Sequence, residues 1–298
     1  MILEPNRQRR RRAFRAVALV ALVLLLGSLL AAGWTPPAFS NVVATPSLGP
    51  APSPTNQVAV VPTATPEPSV PPTPSPAPTP GADGCMPPPA DLQPATVVSH
   101  GPRNNKVVAL TFDDGNDAAN TEKILSILWS HRANATFFPT ARAVELAPKT
   151  WAKVAGAGFP IANHTYHHVS LKGLCFERQL AELNLARSVI AAQPLPFQGF
   201  MRPPYEDFDD NTRLAASAAG EAYIVLWDVD TNDWTGLSWQ AIARGALAGG
   251  AGSIVLMHTS VRATTTALYK IIRDYRARGY DFVTVGQMLG VPGPVPFP

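Results

Sequence analysis

Short runs of apolar residues alternate with amphipathic stretches through the second two thirds of the chain. Seven runs are four to seven residues long and rich in Val, Ile, Leu and Phe, a pattern typical of buried strands. Between them, apolar positions recur at helical spacing, as where Ile124, Leu125 and Leu128 share one face. Alternating strands and helices predict a parallel sheet with helical crossovers.

The pattern assigns most of this region to regular elements. Strands are predicted at residues 107–112, 135–138, 159–162, 199–202, 223–229, 253–257 and 282–285. Helices are predicted at residues 119–130, 176–192, 210–219, 239–247 and 264–278. About seven parallel strands, each followed by a helix or a long loop, favour an α/β fold with a closed or nearly closed (β/α) barrel over one with an open sheet.

Polar clusters follow directly after most of the predicted strands. In barrels of this kind the carboxyl ends of the strands meet on one face, where active sites form. We therefore expect residues that are distant in sequence to become neighbours there. These clusters are Asp113 and Asp114, His164, Pro203 to Tyr205, Asp230 to Trp234, and His258.

The first cluster joins two adjacent carboxylates to a glycine, in the stretch Thr111 to Gly115. Buried like charges are costly unless a cation or a shared proton relieves them. One carboxylate is then suited to bind a metal and the other to move protons. Taken alone, such a stretch is more often an ordinary solvated turn.

Histidines follow the third predicted strand, in His164-Thr165-Tyr166-His167-His168. On a helical turn, His164 and His168 would share a face while His167 points away. With one carboxylate from Asp113 or Asp114, they predict a three-ligand site for one divalent transition metal, Zn²⁺ first, with Co, Ni or Mn as alternatives. The competing interpretation is histidines that are merely hydrogen-bonded in a loop.

Later clusters add groups that are suited to proton transfer and sugar binding. Arg202 is placed to hold a carboxylate in its ionised form. A loop with Asp228, Asp230 and Asp233 precedes Trp234, whose ring a sugar can stack on, although a core position is equally compatible. His258 ends a buried strand and is suited to general acid catalysis, tuned by Asp233.

The N-terminal part has a different composition. Residues 1–15 are predicted to be a basic cytoplasmic tail, and residues 16–34, uncharged and apolar, a transmembrane signal anchor. A cleaved signal peptide is the alternative. Residues 35–93, rich in Pro, are predicted to form an extended disordered linker. The expected location is the cell membrane, single-pass, with an extracellular catalytic domain, or outside the cell if the segment is cleaved.

Charge and cysteine content narrow the possible partners. The net charge of +3 comes from the first fifteen residues, where six Arg against Glu4 give +5 and leave about −2 for the remainder. No basic patch indicates nucleic-acid binding. Cys85 and Cys175, the two cysteines of the chain, either form a disulfide in an oxidising exterior or remain free thiols. The sequence predicts no oligomeric state.

Five ordered motifs resemble those of the polysaccharide deacetylases, the NodB homology or carbohydrate esterase family 4 group. They are Thr111 to Gly115, His164-Thr-x-x-His168, Arg202 to Tyr205, Asp230 to Trp234, and Leu256-Met257-His258. The resemblance implies a distorted barrel for the catalytic domain, placed at residues 94–292 and followed by a tail at 293–298.

The resemblance also implies roles for individual residues. Catalytic roles fall to Asp113 as general base, His258 as general acid, Arg202 positioning Asp113, and Asp233 tuning His258. Metal ligands are Asp114, His164 and His168. Substrate contacts are the Tyr205 backbone amide in an oxyanion hole, and Trp234 with Leu256 lining the acetyl-group pocket.

Three positions depart from the family pattern. Asn116 stands where proline is common, Pro139-Thr140-Ala141 where a small aliphatic residue and Gly are usual, and Glu206 where Gly often follows Tyr205. None of these residues is a proposed catalytic group.

We therefore expect a metal-dependent deacetylase that acts on an N-acetylated wall polysaccharide, first of all peptidoglycan N-acetylglucosamine. An O-acetyl esterase on xylan or another glycan, or a chitooligosaccharide deacetylase, would use nearly the same site. A catalytically inactive wall-binding module is the alternative from a different class, and the intact Asp113, Arg202 and His258 argue against it.

Overall fold

The computed structural model describes residues 85–297. One sheet contains nine strands, namely β1 (Thr96–Val98), β2 (Val107–Asp114), β3 (Ala135–Pro139), β4 (Ile161–Asn163), β5 (Phe197–Met201), β6 (Tyr223–Val225), β7 (Val229–Asp230), β8 (Ser253–His258) and β9 (Asp281–Phe282). The helices are α1 (Ala118–Ser130), α2 (Ala141–Leu146), α3 (Pro148–Gly156), α4 (Phe176–Ala191), α5 (Asp210–Ala218), α6 (Trp239–Ala246), α7 (Arg262–Ala277) and α8 (Val285–Leu289).

The strands are arranged in the order β1-β6-β5-β4-β3-β2-β8-β7, with β9 beside β2. All of these ladders are parallel, including those that flank β2, where Leu110 lies opposite Ala135 of β3 and Val255 of β8. The predicted parallel α/β architecture is therefore confirmed. The predicted polar clusters lie at the carboxyl ends of the strands of this sheet.

One predicted strand, residues 223–229, is divided in the structure. β6 ends at Val225, and the chain then changes partners, since Leu226 N donates to Val98 O and Asp228 N donates to Ile254 O. The chain thereby passes from β1, at one edge of the sheet, to β8, which is next to the opposite edge, before β7 begins. The predicted seven-stranded distorted barrel is thus observed as a curled parallel sheet whose two edges are linked by this bent segment.

Side chains of β2 alternate between two apolar clusters. Leu110 and Phe112 are fully buried against the helices, where the rings of Phe112 and Phe137 lie 5.4 Å apart. Ala109 packs on the opposite face, in a second cluster with Phe138 and other residues. Because side chains alternate along a strand, Thr111 and Asp113 share the Ala109 face. The strand therefore directs Asp113 to the concave side of the sheet.

Several element boundaries differ from the prediction. α2 and α3 occupy the segment between β3 and β4, where no helix was predicted. The predicted strand 282–285 stops at Phe282, because Thr284 caps α8 by accepting from Gln287 N while Gln287 bonds back to Thr284 N. Local capping thus ends this strand earlier than its apolar composition predicts.

Both ends of the described region are fixed to its body. Cys85 forms a disulfide with Cys175, which decides between the two alternatives left open by the sequence. At the other end, Phe297 is 9% exposed and packs against Trp129 and Phe159. The proposed domain boundaries at 94 and 292 remain predictions.

The predicted tail, anchor and most of the linker, residues 1–84, lie outside the described residues. Across residues 85–297, none of the helices has the length and apolar character needed to cross a membrane.

Candidate active site

A cleft of about 500 Å³ opens at the carboxyl ends of the strands. Eight of the ten residues singled out from the sequence line it, namely Asp113, Asp114, His164, His168, Tyr205, Trp234, Leu256 and His258. The other two, Arg202 and Asp233, are fully buried behind the cleft wall. Trp234 is 63% exposed at the rim, which excludes a core position for this ring.

The end of β2 places the two carboxylates differently. Asp113 is still within the β2–β8 ladder, whereas Asp114 has a left-handed φ of 77° and Gly115 a φ of 88°. A Cβ on Gly115 would lie 2.4 Å from the Trp151 ring, so only glycine fits this turn. Thr259 fixes the loop by accepting from Gly115 N and donating to Asp113 O.

Arg202 forms a buried ion pair with Asp113. Its Nη1 donates to Asp113 Oδ1 at 2.7 Å, and the guanidinium also donates to backbone carbonyls of Val225 and Leu226. The ring of Phe138 lies 4.2 Å from the guanidinium carbon. Burial raises the pKa of Asp113, and the charge and hydrogen bond of Arg202 oppose that rise. A carboxylate with a raised proton affinity beside a fixed positive charge is suited to accept a proton and to release it again.

Ligand atoms of Asp114, His164 and His168 lie within 4.8 Å of one another. The Nε2 atoms of His164 and His168 are 3.9 and 3.5 Å from Asp114 Oδ1. The His164 Nδ1 bonds to Arg202 O at 2.7 Å, and the His168 Nδ1 to Tyr205 Oη at 3.0 Å. Since these bonds occupy Nδ1, both rings direct Nε2 toward the carboxylate, as metal-binding histidines do.

This donor set fits a divalent transition metal. It offers two imidazole nitrogens and one carboxylate oxygen, with the remaining positions open to the cleft. Burial lowers the pKa of His164 to about 3, so its ring is neutral and able to bind a cation.

The predicted helical turn through these histidines is wrong. Residues 164–168 form an irregular loop in which Thr165 and His168 have φ values of 62° and 58°. Asn163 supports the loop, because its Oδ1 accepts from Thr165 N at 2.8 Å. Left-handed residues, and not helical periodicity, bring His164 and His168 to one side with ring centroids 4.9 Å apart.

His258 is held by Asp233 through two hydrogen bonds. Asp233 Oδ1 lies 2.7 Å from His258 Nδ1, and Asp233 Oδ2 accepts from His258 N at 2.9 Å. Burial lowers the pKa of His258, but the hydrogen bond and charge of Asp233, with the charges of Asp113 and Asp114, outweigh burial and raise the pKa to about 9. The ring is therefore charged at neutral pH and can act as an acid.

Some contributors to the site were missed by the sequence analysis. The Tyr205 side chain orients His168, whereas the motif predicts a role only for the Tyr205 backbone amide. Ser260 donates to Asp114 Oδ2 at 3.2 Å, and Thr264 donates to Asp233 Oδ2. Both lie within six residues of His258, so inspection of the sequence after that motif would have included them. Asp228 binds Arg103 and Ser253 instead of lining the cleft.

This region of the chain is similar to proteins of known function. A family model described as polysaccharide deacetylase matches residues 100–224. A peptidoglycan-N-acetylglucosamine deacetylase of Bacillus cereus is 34% identical over 193 residues, which cover 63% of this chain and 70% of that protein. PdaC of Bacillus subtilis, a peptidoglycan-N-acetylmuramic acid deacetylase, is 32% identical over 186 residues, covering 62% of this chain and 39% of PdaC.

A solved structure shows the same architecture. The Bc1960 peptidoglycan N-acetylglucosamine deacetylase aligns with a TM-score of 0.63 and 32% identity, covering 66% of this chain and 94% of that chain. The match thus extends over nearly the whole of that structure, although this chain spans only about two fifths of PdaC. These similarities confirm the resemblance noted in the motifs: the chain belongs to the polysaccharide deacetylase family and is a hydrolase of that class.

Proposed function

We propose that this chain removes N-acetyl groups from a cell-wall polysaccharide in a metal-dependent hydrolysis, with peptidoglycan N-acetylglucosamine as its substrate. One observation carries the proposal. The Asp113–Arg202 and His258–Asp233 pairs flank the same cleft as the Asp114, His164 and His168 donor set. A binding module needs neither a poised base nor a poised acid, so these pairs favour an enzyme.

Each of these groups has a separate role in the proposed reaction. A divalent cation held by Asp114, His164 and His168 would polarise the acetyl carbonyl and lower the pKa of attacking water. Asp113, ionised beside Arg202, accepts the proton of that water. His258, with Nδ1 held by Asp233, then donates a proton to the departing amine. The backbone amide of Tyr205 is assigned to the oxyanion, and Trp234 and Leu256 to the acetyl group.

The backbone conformation of Tyr205 supports the assignment of its amide to the oxyanion. Tyr205 and Glu206 have φ values of 61° and 58° after two prolines, a backbone conformation that costs energy in residues with side chains. Such strain is often found where a loop must present a backbone group at a particular place. Glu206, a departure from the family pattern, lines the cleft.

The substrate is inferred from relatives and from the predicted chain organisation. The Bacillus cereus protein and the Bc1960 structure are both named peptidoglycan N-acetylglucosamine deacetylases. A membrane anchor at residues 16–34 and an extended linker at 35–93 would place the catalytic domain in the wall layer outside the membrane. We propose Zn²⁺ as the metal on the basis of the two histidines and one carboxylate.

Acetate release from a glycan panel tests the proposal. The purified full chain, loaded with Zn²⁺, should release acetate from peptidoglycan, and more slowly or not at all from acetylated xylan and chitin oligomers. Faster release from acetylated xylan would identify an O-acetyl esterase. Tight glycan binding without acetate release from any of these polymers would identify a wall-binding module and contradict the proposed reaction.

A further inference from the structure

A second cleft, of about 490 Å³, adjoins the active-site cleft. His168 lines both clefts, and Gly115 and Asn116, which directly follow the Asp113-Asp114 pair, line the second one. The proposed substrate is a polymer, so the sugars that flank the reacting unit must leave the active site along the protein surface. The second cleft is a groove that begins at a proposed metal ligand.

The wall of this cleft is fixed to the active-site loops. α2 begins at Ala141, whose N donates to Thr165 O at 2.9 Å, and the preceding Thr140 N donates to Asp114 O at 2.9 Å. Both acceptors belong to the loops that carry the proposed metal ligands. The backbone of the first turn of α2 is therefore fixed relative to the loops that carry the proposed metal ligands.

Arg142 occupies that first turn and lines the cleft. Histidines aside, it is the one charged side chain among the lining residues. Its guanidinium is exposed and makes neither a hydrogen bond nor an ion pair with any residue in the 85–297 range. Arg presents several donors in a planar fork that matches a carboxylate.

The carboxylates of Glu145 and Glu182 are hydrogen-bonded to other residues. Glu145 accepts from Tyr166 Oη at 2.6 Å, and Glu182 binds the backbone N of Tyr166 and the backbone and ring of His167. These contacts also fix Tyr166 and His167, whose rings lie 4.5 Å apart along the cleft. The groove thus combines an aromatic wall with one unengaged cation.

The apolar part of the groove has an exposed edge. Leu146 is 74% exposed and lines the cleft beside Ala143 and Ala147. Sugar rings pack their apolar C–H faces against such surfaces while their polar groups bind charged side chains. Two of the positions that depart from the family pattern, Asn116 and Thr140, also line this cleft.

We propose that the second cleft binds the sugar next to the one that is deacetylated, and that Arg142 binds a carboxylate carried by that sugar. The inference rests on the proposed function and extends it, because it selects an acidic N-acetylated glycan over a neutral one. In peptidoglycan, the lactyl group of an N-acetylmuramic acid residue supplies such a carboxylate where no peptide is joined to it, since an attached peptide converts this carboxyl group into an amide. Chitin oligomers carry none.

Binding and kinetics on matched tetrasaccharides test this assignment. One probe alternates N-acetylglucosamine with N-acetylmuramic acid, has free lactyl carboxylates and carries no peptide; the other is the neutral N-acetylglucosamine tetramer. For the Zn²⁺-loaded full chain, Arg142→Gln should raise Kd and KM for the acidic probe about tenfold, the loss of one exposed charge-assisted contact. For the neutral probe, both constants should change less than about twofold.

Further variants separate charge recognition from folding. Arg142→Lys should recover part of the affinity for the acidic probe, because it keeps the charge without the planar fork. Arg178→Gln removes another exposed arginine, from α4 and outside both clefts, and should change neither probe's binding. Added salt should weaken wild-type binding of the acidic probe more than that of the neutral probe.

Several results would overturn the inference. These are equal wild-type affinity for the two probes, an equal effect of Arg142→Gln on both, or the same effect from Arg178→Gln. If Arg142→Gln weakens binding only of glycan chains that bear peptides, the contact is with a carboxylate of the peptide instead. If the wild type binds the acidic probe through Arg142 yet releases no acetate from any glycan, the proposed reaction fails while this binding site stands.

Discussion

Asp113 and His258 lie opposite each other in the ladder between β2 and β8. Neighbouring strands in a sheet are about 4.8 Å apart, so backbone hydrogen bonds set the spacing of the proposed base and acid. Each of the two residues is held from behind by a buried partner, Arg202 for Asp113 and Asp233 for His258. The proposed base and the proposed acid therefore both lie within strands of the sheet.

Asp113→Asn should abolish turnover while the metal is retained. The amide cannot accept the proton of water, so kcat is expected to fall by roughly 10²- to 10⁴-fold. Acetate release and metal content by mass spectrometry measure the two properties together. His164→Ala should lose both activity and metal, since it removes one of the three proposed ligands.

Asp113→Asn also leaves the Arg202 charge buried without its counterion, so a lower melting temperature is expected for this variant. Asp210→Asn, at a carboxylate whose side chain is 92% exposed, is the matched control and should change neither property. Normal turnover by a folded Asp113→Asn variant would show that the base has been wrongly assigned.

Asp233→Asn should move the alkaline limb of the pH–activity profile to lower pH. His258 is the proposed acid, so activity should fall as pH rises through its pKa of about 9. Without the Asp233 charge, burial lowers that pKa and the limb should shift by more than one unit. The logarithm of kcat/KM against pH measures the shift, and an unchanged limb would exclude His258 as the titrating acid.

Adjacent histidines offer a matched test of the metal site. His168→Ala should weaken metal affinity on the order of 100-fold, because it removes a ring nitrogen that faces Asp114. His167→Ala should leave affinity nearly unchanged, since the His167 ring binds Glu182 instead. Competition with a metal-binding dye gives both constants. Chelation should also abolish wild-type activity, and added Zn²⁺ should restore it.

A buried acid behind the histidine loop predicts a pH-dependent stability. Glu221 is fully buried, and its Oε1 accepts from Asn163 Nδ2 while its Oε2 has no partner among the described residues. Burial raises the pKa of Glu221 from 4.5 to about 8, although Asn163 and Arg187 oppose the rise. Between these two pH values the folded state binds more protons than the unfolded state, so stability falls as pH rises.

Glu221→Gln should flatten this dependence, because the amide does not titrate. The variant is expected to gain about 1 to 3 kcal/mol relative to wild type on going from pH 5 to pH 8. Urea unfolding across that pH range measures the free energy of unfolding of both proteins. The contributions of the other titrating groups cancel in the difference between them. Parallel stability curves for the variant and the wild type would contradict the assignment of a raised pKa to Glu221.

Apolar periodicity and motif order were sufficient to predict the parallel α/β architecture and the face that carries the site. Continuous apolar runs identify strands buried on both sides, and the polar residues that end β2, β5 and β8 are recognisable because they interrupt such runs. Local hydrogen bonding was not predictable in the same way. The capping of α8 by Thr284 and the bend after Val225 both override local strand composition.

The residues that can do chemistry here are recognisable from the amino-acid sequence alone, through the types and order of Asp113, Asp114, His164, His168 and His258. The way in which they are held is visible only in the folded chain. It depends on the left-handed backbone of His168, the Tyr205 hydroxyl that orients its ring, and the Glu221–Asn163 contact behind the loop. Such features depend on positive φ angles and on hydrogen bonds between residues 37 to 58 positions apart. The periodicity of a chain reports which face is buried, but it carries no information about partners that only folding brings together.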